Sequence, residues 1–140
     1  MGDTVRAQVM MSFLASEELA FLIPVDLVYE TEDPYAVRFT FCLPGDAPVS
    51  WVFGRELLVD GISHPSGEGD VHIAPVCAER LADLHIQLFA GSERAVFRVS
   101  APPLVAFLDR TDRLVPLGHE EAQQDIDAEL DRILAGGRMP

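Results

Sequence analysis

Lysine is absent. All ten basic residues are arginine, they face 23 acidic residues, and the formal net charge is −13 over 140 residues. Nucleic-acid binders hold phosphates with Lys and Arg, so this balance argues against a broad basic track, and no nucleic-acid partner is expected. The same charge disfavours anionic lipid surfaces. Cysteine is scarce as well. Cys42 and Cys77 stand far apart, with neither metal-type nor disulfide-framework spacing, so both are expected as reduced, partly buried thiols. No apolar run approaches the ~20 residues a membrane-spanning helix needs, and Met1–Arg6 carries no basic-then-apolar leader. Direct membrane insertion is therefore not expected, and the compartment read from these absences is the cytoplasm.

Catalytic signatures are missing too. There is no Gly-x-Ser-x-Gly elbow, no His-Glu-x-x-His, no Cys-x-x-Cys and no phosphate loop. The sequence therefore predicts no enzyme, no catalytic residue, no cofactor and no metal site. What it does contain, 49% hydrophobic and 24% charged residues, is ordinary for one globular domain spanning residues 1–140.

The clearest local signal is Asp33-Pro34 followed by Val37, Phe39 and Phe41 alternating with Arg38, Thr40 and Cys42. A side-chain period of two predicts a strand with one face on a core. Pro44-Gly45-Asp46-Ala47-Pro48 then turns into Val49–Phe53, so the two strands form a hairpin centred on Phe39, Phe41, Trp51 and Phe53. The same alternation predicts strands over 5–14, 21–30, 71–76, 84–89 and 95–100, which makes seven. Pro24 is expected at a strand start or a sheet edge, because it lacks a ladder donor.

Helical signals are fewer. Residues 54–61 read as one short turn with Leu57 and Leu58 inward, followed by a polar loop. Pro102-Pro103 suits the first turn of a helix carrying Leu104, Phe107 and Leu108 and ending near Thr111. A last helix over about 125–135 carries Ile126, Leu130, Ile133 and Leu134 on one stripe. If that stripe packs on the body it contributes roughly 6–12 kcal/mol gross, and Ile133→Asp would detach the helix. Strands followed by helices make the class α+β.

Candidate chemistry is weak at each position. His72 and His85 lie on consecutive strands and read as solvent-face residues rather than zinc ligands, and His64 and His119 fall in loops. Ser66 sits in a turn, and Gly67-Glu68-Gly69-Asp70 lacks the lysine of a phosphate loop. Glu120-Glu121 and Asp125/Asp127 read as a solvated helix entrance. Arg38-Phe39-Thr40-Phe41 has the look of an RNA-binding strand, but its aromatics read as core. Clustering of Arg6, Arg38, Arg94 and Arg98 on one face would carry the alternative function, single-strand nucleic-acid binding.

Five blocks together resemble the SsgA-like proteins of sporulating actinobacteria. They are Asp33–Val37, Trp51–Leu58, Gly67–Val71, Phe107–Thr111 and Asp125–Leu130, in order and at matching spacing from about Val5 to Ala135. The resemblance implies a non-enzymatic regulator of sporulation-specific cell division. Its members position the septum, and some recruit the tubulin-like division protein FtsZ. It also implies a homotrimer located at the division septum. Its fold would be like that of the Whirly proteins: two antiparallel sheets packed crosswise, with C-terminal helices. It assigns no catalytic, cofactor, metal or partner-binding residue to this chain.

Overall fold

The computed structural model describes residues 2–77 and 80–136. Four strands come first: β1 (Thr4–Leu14), β2 (Ala20–Glu30), β3 (Ala36–Phe41) and β4 (Val49–Gly54). Helix α1 (Arg55–Ser63) follows directly on β4. A second strand run holds β5 (Ser66–Glu68), β6 (Val71–Cys77), β7 (Arg80–Ala90) and β8 (Glu93–Ser100). The chain ends in α2 (Ala101–Leu114) and α3 (Glu120–Gly136). The α+β class and both hairpins are as the alternation predicts.

The expected pair of separate sheets is replaced by one. Eight strands pair in the order β4-β3-β2-β1-β8-β7-β6-β5, every pair antiparallel. The strand ladder joins the halves β1–β4 and β5–β8 through just two pairings, Ser12 with Arg98 and Phe13 with Phe97. So narrow a ladder holds because aromatic rings bridge it. Across the seam, Phe97 stacks on Phe13 at 5.2 Å and on Phe41 at 4.5 Å; within the first half, Phe39 stacks on Phe53 at 4.2 Å. Offset rings at these distances add attraction beyond their buried area.

The eighth strand, β5, lies inside the segment read as a polar loop. Its three residues pair with Val71–Ile73 after a turn in which Gly69 takes φ 58°. Gly67 faces His72, where a Cβ would come within 2.6 Å of the imidazole, so a larger residue there would push the exposed His72 ring aside. Helix α1 runs nine residues rather than one turn. Pro24 is not at an edge: it sits inside β2, paired with Met10, one residue before the β3 ladder begins at Val25.

Inward residues build one core. It holds Val25, Leu27, Val37, Phe39 and Phe41 from the first half, Ile73, Leu84 and Ile86 from the second, and Leu58, Leu104 and Phe107 from α1 and α2. The α3 stripe is the main departure from expectation. Ile126, Leu130, Ile133 and Leu134 are all exposed, at 43–59%. A 3.6-residue period shows that a helix has an apolar face; it does not show what covers that face.

Phe97 is the ring shared by both halves of the sheet. Phe97→Ala should cost about 3–5 kcal/mol, read as a lower denaturant midpoint, whereas Val105→Ala, at an exposed site on α2, should move it little.

Candidate interaction surfaces

A buried ion pair fixes where α3 leaves the body. Gly54 precedes α1 without capping it, and the Arg55 amide donates to Tyr35 O at 2.7 Å. The Arg55 side chain then runs inward and is 1% exposed. Its Nη1 donates to Val115 O at 2.7 Å and to Thr111 Oγ1 at 3.4 Å, both at the end of α2. Its Nη2 donates to Glu120 Oε2 at 2.7 Å, the first residue of α3. The guanidinium lies 5.0 Å from the Tyr29 ring centroid, close enough for a cation–π contact. Glu120 Oε1 accepts the Gly118 amide at 2.8 Å, and Gly118 reaches that position with φ 89°. Tyr29 donates to Pro34 O at 3.1 Å.

Two titrations follow from this geometry. Burial pushes the Tyr29 phenol up to about 12, with Arg55 opposing and Glu120 and Asp33 adding to the rise. Burial alone would raise Glu120 as well. The hydrogen bond from Arg55, those from the Glu120 and Gly118 amides, and the Arg55 charge outweigh it and lower its pKa. Glu120 is thus not the solvated acid the sequence suggested, while Glu121 stays exposed. Nothing in the composition marked Arg55, since one arginine among ten carries no burial signal.

Two of the exposed apolar surfaces stand out. One is the α3 stripe, bordered by exposed Glu121, Asp125, Glu129 and Asp131. The other is a ledge at the tip of the β1–β2 hairpin, where Met10 and Leu22 are exposed on the outer face of the sheet, Phe21 on the opposite face and Leu19 just before β2, with Leu22 67% exposed. The stripe is legible in the sequence as apolar but reads as core, and the ledge reads as ordinary alternation.

The other sequence candidates are scattered. His72 stands opposite Gln87 and packs edge-on against Phe89 at 5.1 Å, while His85 stands opposite Ala74. Burial, then Arg98, lowers the His85 pKa against the opposing pull of Asp83. Cys42 is half-buried, and Cys77 is exposed rather than the partly buried thiol expected. His64 caps the end of α1, and Ser66 Oγ donates to His64 O at 3.1 Å. His119 is exposed just before α3. Phe39 and Phe41 are core, as read, and offer no stacking platform. Arg6 and Arg38 flank Val28 on the outer face of the sheet. Arg98 faces Ser12, six residues further along β1 and so on the order of 20 Å away. Arg98 is neutralised by Asp83 at 2.7 Å, and Arg94 bonds Gln87 at 3.5 Å. The four arginines form no single patch. Among the described residues, no group of three or more His, Cys, Asp or Glu is placed to hold a metal, and no helix is long and apolar enough to cross a membrane.

Fold and surface together define a small α+β scaffold whose distinctive features are uncovered apolar faces. Residues 23–120 match the family described as "Streptomyces sporulation and cell division protein, SsgA". The chain is 38% identical to the sporulation-specific cell division protein SsgB of Streptomyces coelicolor, over 96% of this chain and 98% of that protein. It is 37% identical to SsgB of Thermobifida fusca, covering 96% and 97%. A crystal structure of an SsgA-like sporulation-specific cell division protein from Thermobifida fusca superposes with a TM-score of 0.85 at 36% identity, over 94% of this chain and 96% of that one. A structure described with SsgB mutations that correlate to longitudinal cell division in Streptomyces coelicolor gives 0.80 at 35% identity, over 88% and 97%. The chain belongs to the SsgA family.

The buried pair has testable consequences. Glu120→Gln strands the Arg55 charge and should cost about 3–5 kcal/mol, whereas Arg55→Leu/Glu120→Leu should cost much less than the two single changes summed. Because the folded pKa of Glu120 is lowered, its contribution is present above the unfolded value of ~4.3 and is lost as pH falls through the folded value. Thermal melts from neutral to acid pH should show that loss in the parent and not in the double variant. The raised Tyr29 value works in the alkaline range: its contribution is present below the unfolded ~10 and is lost as pH rises toward about 12.

Proposed function

We propose that this protein is a non-enzymatic adaptor in sporulation-specific cell division. It recruits or positions FtsZ at the division septum, acting from the cytoplasm as a homotrimer. The observation that carries this reading is α3. Its apolar stripe is uncovered and flanked by carboxylates, and its base is locked to the body by Arg55. A narrow amphipathic face on a fixed helix suits docking into a groove of a partner. The β1–β2 ledge is different. It lies at a hairpin tip with Met10 and Leu22 exposed on the sheet and only Glu17 and Glu18 of the turn beside them, and we read it as the self-association surface. Two four-strand halves meeting at a narrow seam support a Whirly-like arrangement for each subunit of the trimer. That fold analogy does not bring nucleic-acid binding with it, and the divided, partly neutralised arginines give that alternative no support.

The two surfaces should separate by mutation. Leu130→Asp/Ile133→Asp should leave the thermal melt within about 0.5 kcal/mol of the parent, because both side chains are already exposed. The same variant should lose most co-sedimentation with FtsZ polymers. Leu22→Asp should instead lower the mass measured by light scattering. A parent protein that does not pellet with FtsZ at any salt concentration overturns direct recruitment.

A further inference from the structure

Strand β4 ends the sheet, and it ends it unprotected. It pairs only with β3 among the described residues, and Val49-Ser50-Trp51-Val52-Phe53-Gly54 contains no proline and no charge. The other end of the sheet, β5, is only three residues long. Natural edges of the length of β4 are normally blunted by charge, proline or a bulge, because an open edge templates pairing with another chain. Val49 and Val52 are exposed on it.

A different kind of cleft lies at each end of this strand. At the N-terminal end, Val49 and Trp51 form one wall of a mainly apolar cleft of about 300 Å³, lined also by Phe13, Phe41, Phe97 and Leu88, with Glu93 and Arg94 among its other residues. Its size suits one or two large side chains. At the C-terminal end, Gly54 borders a cleft of about 440 Å³ with Tyr35, Leu57, Glu56, Asp60 and Glu68 around it. Glu56, Asp60 and Glu68 have no ion-pair partner among the described residues, whereas the cleft's fourth acid, Glu120, is occupied by Arg55. Glu68 lies over Gly54, 3.3 Å from where a Cβ would stand, so the acids reach the strand itself.

We propose that β4 is a docking edge for an extended segment of a partner protein. That segment adds as a strand beside β4, places an aromatic or large aliphatic side chain in the Trp51 cleft, and places an arginine or lysine among Glu56, Asp60 and Glu68. Main-chain hydrogen bonds supply affinity in such strand addition, and the pockets at either end supply specificity. Charge complementarity selects a basic segment over a second copy of this acidic chain. The inference does not depend on FtsZ being the partner, so it stands or falls separately from the adaptor reading above.

The test is a titration of the isotopically labelled full-length chain, followed by amide shifts. The probes are short synthetic peptides carrying one Phe and one Arg separated by the length of β4, made in both orders to cover both strand directions. Saturable shifts should concentrate on Val49–Gly54 and the Trp51 indole at millimolar peptide. Methylating alternate peptide nitrogens, in either alternation, should abolish them in at least one pattern. Glu56→Gln/Glu68→Gln, both at exposed positions, should weaken binding roughly fivefold, the scale of solvent-accessible charge pairs. Three results overturn the proposal: no saturable shifts on β4, binding indifferent to both methylation patterns, or binding indifferent to the carboxylate changes. Protection of the β4 amides from hydrogen exchange without peptide, lost on dilution, would show that a second copy already covers the edge, and that also overturns it.

Discussion

A guanidinium taken almost wholly out of water is stable only if its charge is answered where it lies, and much of this molecule's geometry depends on how Arg55 is answered. The side chain starts where β4 becomes α1 and ends against Val115 and Glu120. It therefore ties three chain segments that are far apart in sequence: the end of the first sheet half, the end of α2 and the start of α3. Hydrophobic contact could hold these segments together but would not fix their angles. A charge-assisted pair at 2.7 Å, with a second carboxylate oxygen held by the Gly118 amide, does fix them. Arg55 Nε is buried with no hydrogen-bond partner among the described residues. The network is directional, which fits a device for position.

The seam imposes a second constraint. Two backbone pairings would be a weak link between two four-strand meanders. The rings of Phe13, Phe97 and Phe41 convert the link into a packed joint and let the sheet curl there. Curling brings β4 back toward the second half, where Glu68 meets Gly54. Helix α1, which bridges β4 and β5 in the chain, places Leu57 and Leu58 in the shared core. One sheet can therefore enclose a core much as two crossed sheets would, the arrangement the family resemblance implies.

Legibility followed the physics of each signal. Period-two alternation registers burial on one face, so Val37, Phe39 and Phe41 were readable as core, and so were the hairpins. Pro102-Pro103 marked the start of α2 because proline is harmless only in a first turn. Three features were not readable. The three residues of β5 are too few to show a period. Glu120 beside Glu121 looks identical to any acidic helix entrance, and its burial depends on an arginine 65 positions earlier. The α3 stripe was read correctly as apolar and wrongly as covered. Periodicity reports a property of one surface, while burial is a property of two.

That last distinction bears on the charge. Uncovered apolar surface invites indiscriminate association. Here the α3 stripe is bordered by Glu121, Asp125, Glu129 and Asp131, and the chain as a whole carries −13. Two such helices approaching each other bring like charges together before their apolar residues can meet, which raises the cost of self-pairing along α3. The β1–β2 ledge is guarded less densely: exposed Glu17 and Glu18 adjoin Leu19 in the hairpin turn, against four carboxylates along α3. On the adaptor reading, the ledge that meets copies of the same chain needs less repulsion than the face that meets a different partner. The absence of lysine fits the same logic. Short of basic residues, and with Arg55 buried and Arg98 paired to Asp83, the chain has little positive charge with which to satisfy its own acids. Many of those acids therefore remain available to discriminate among partners by charge.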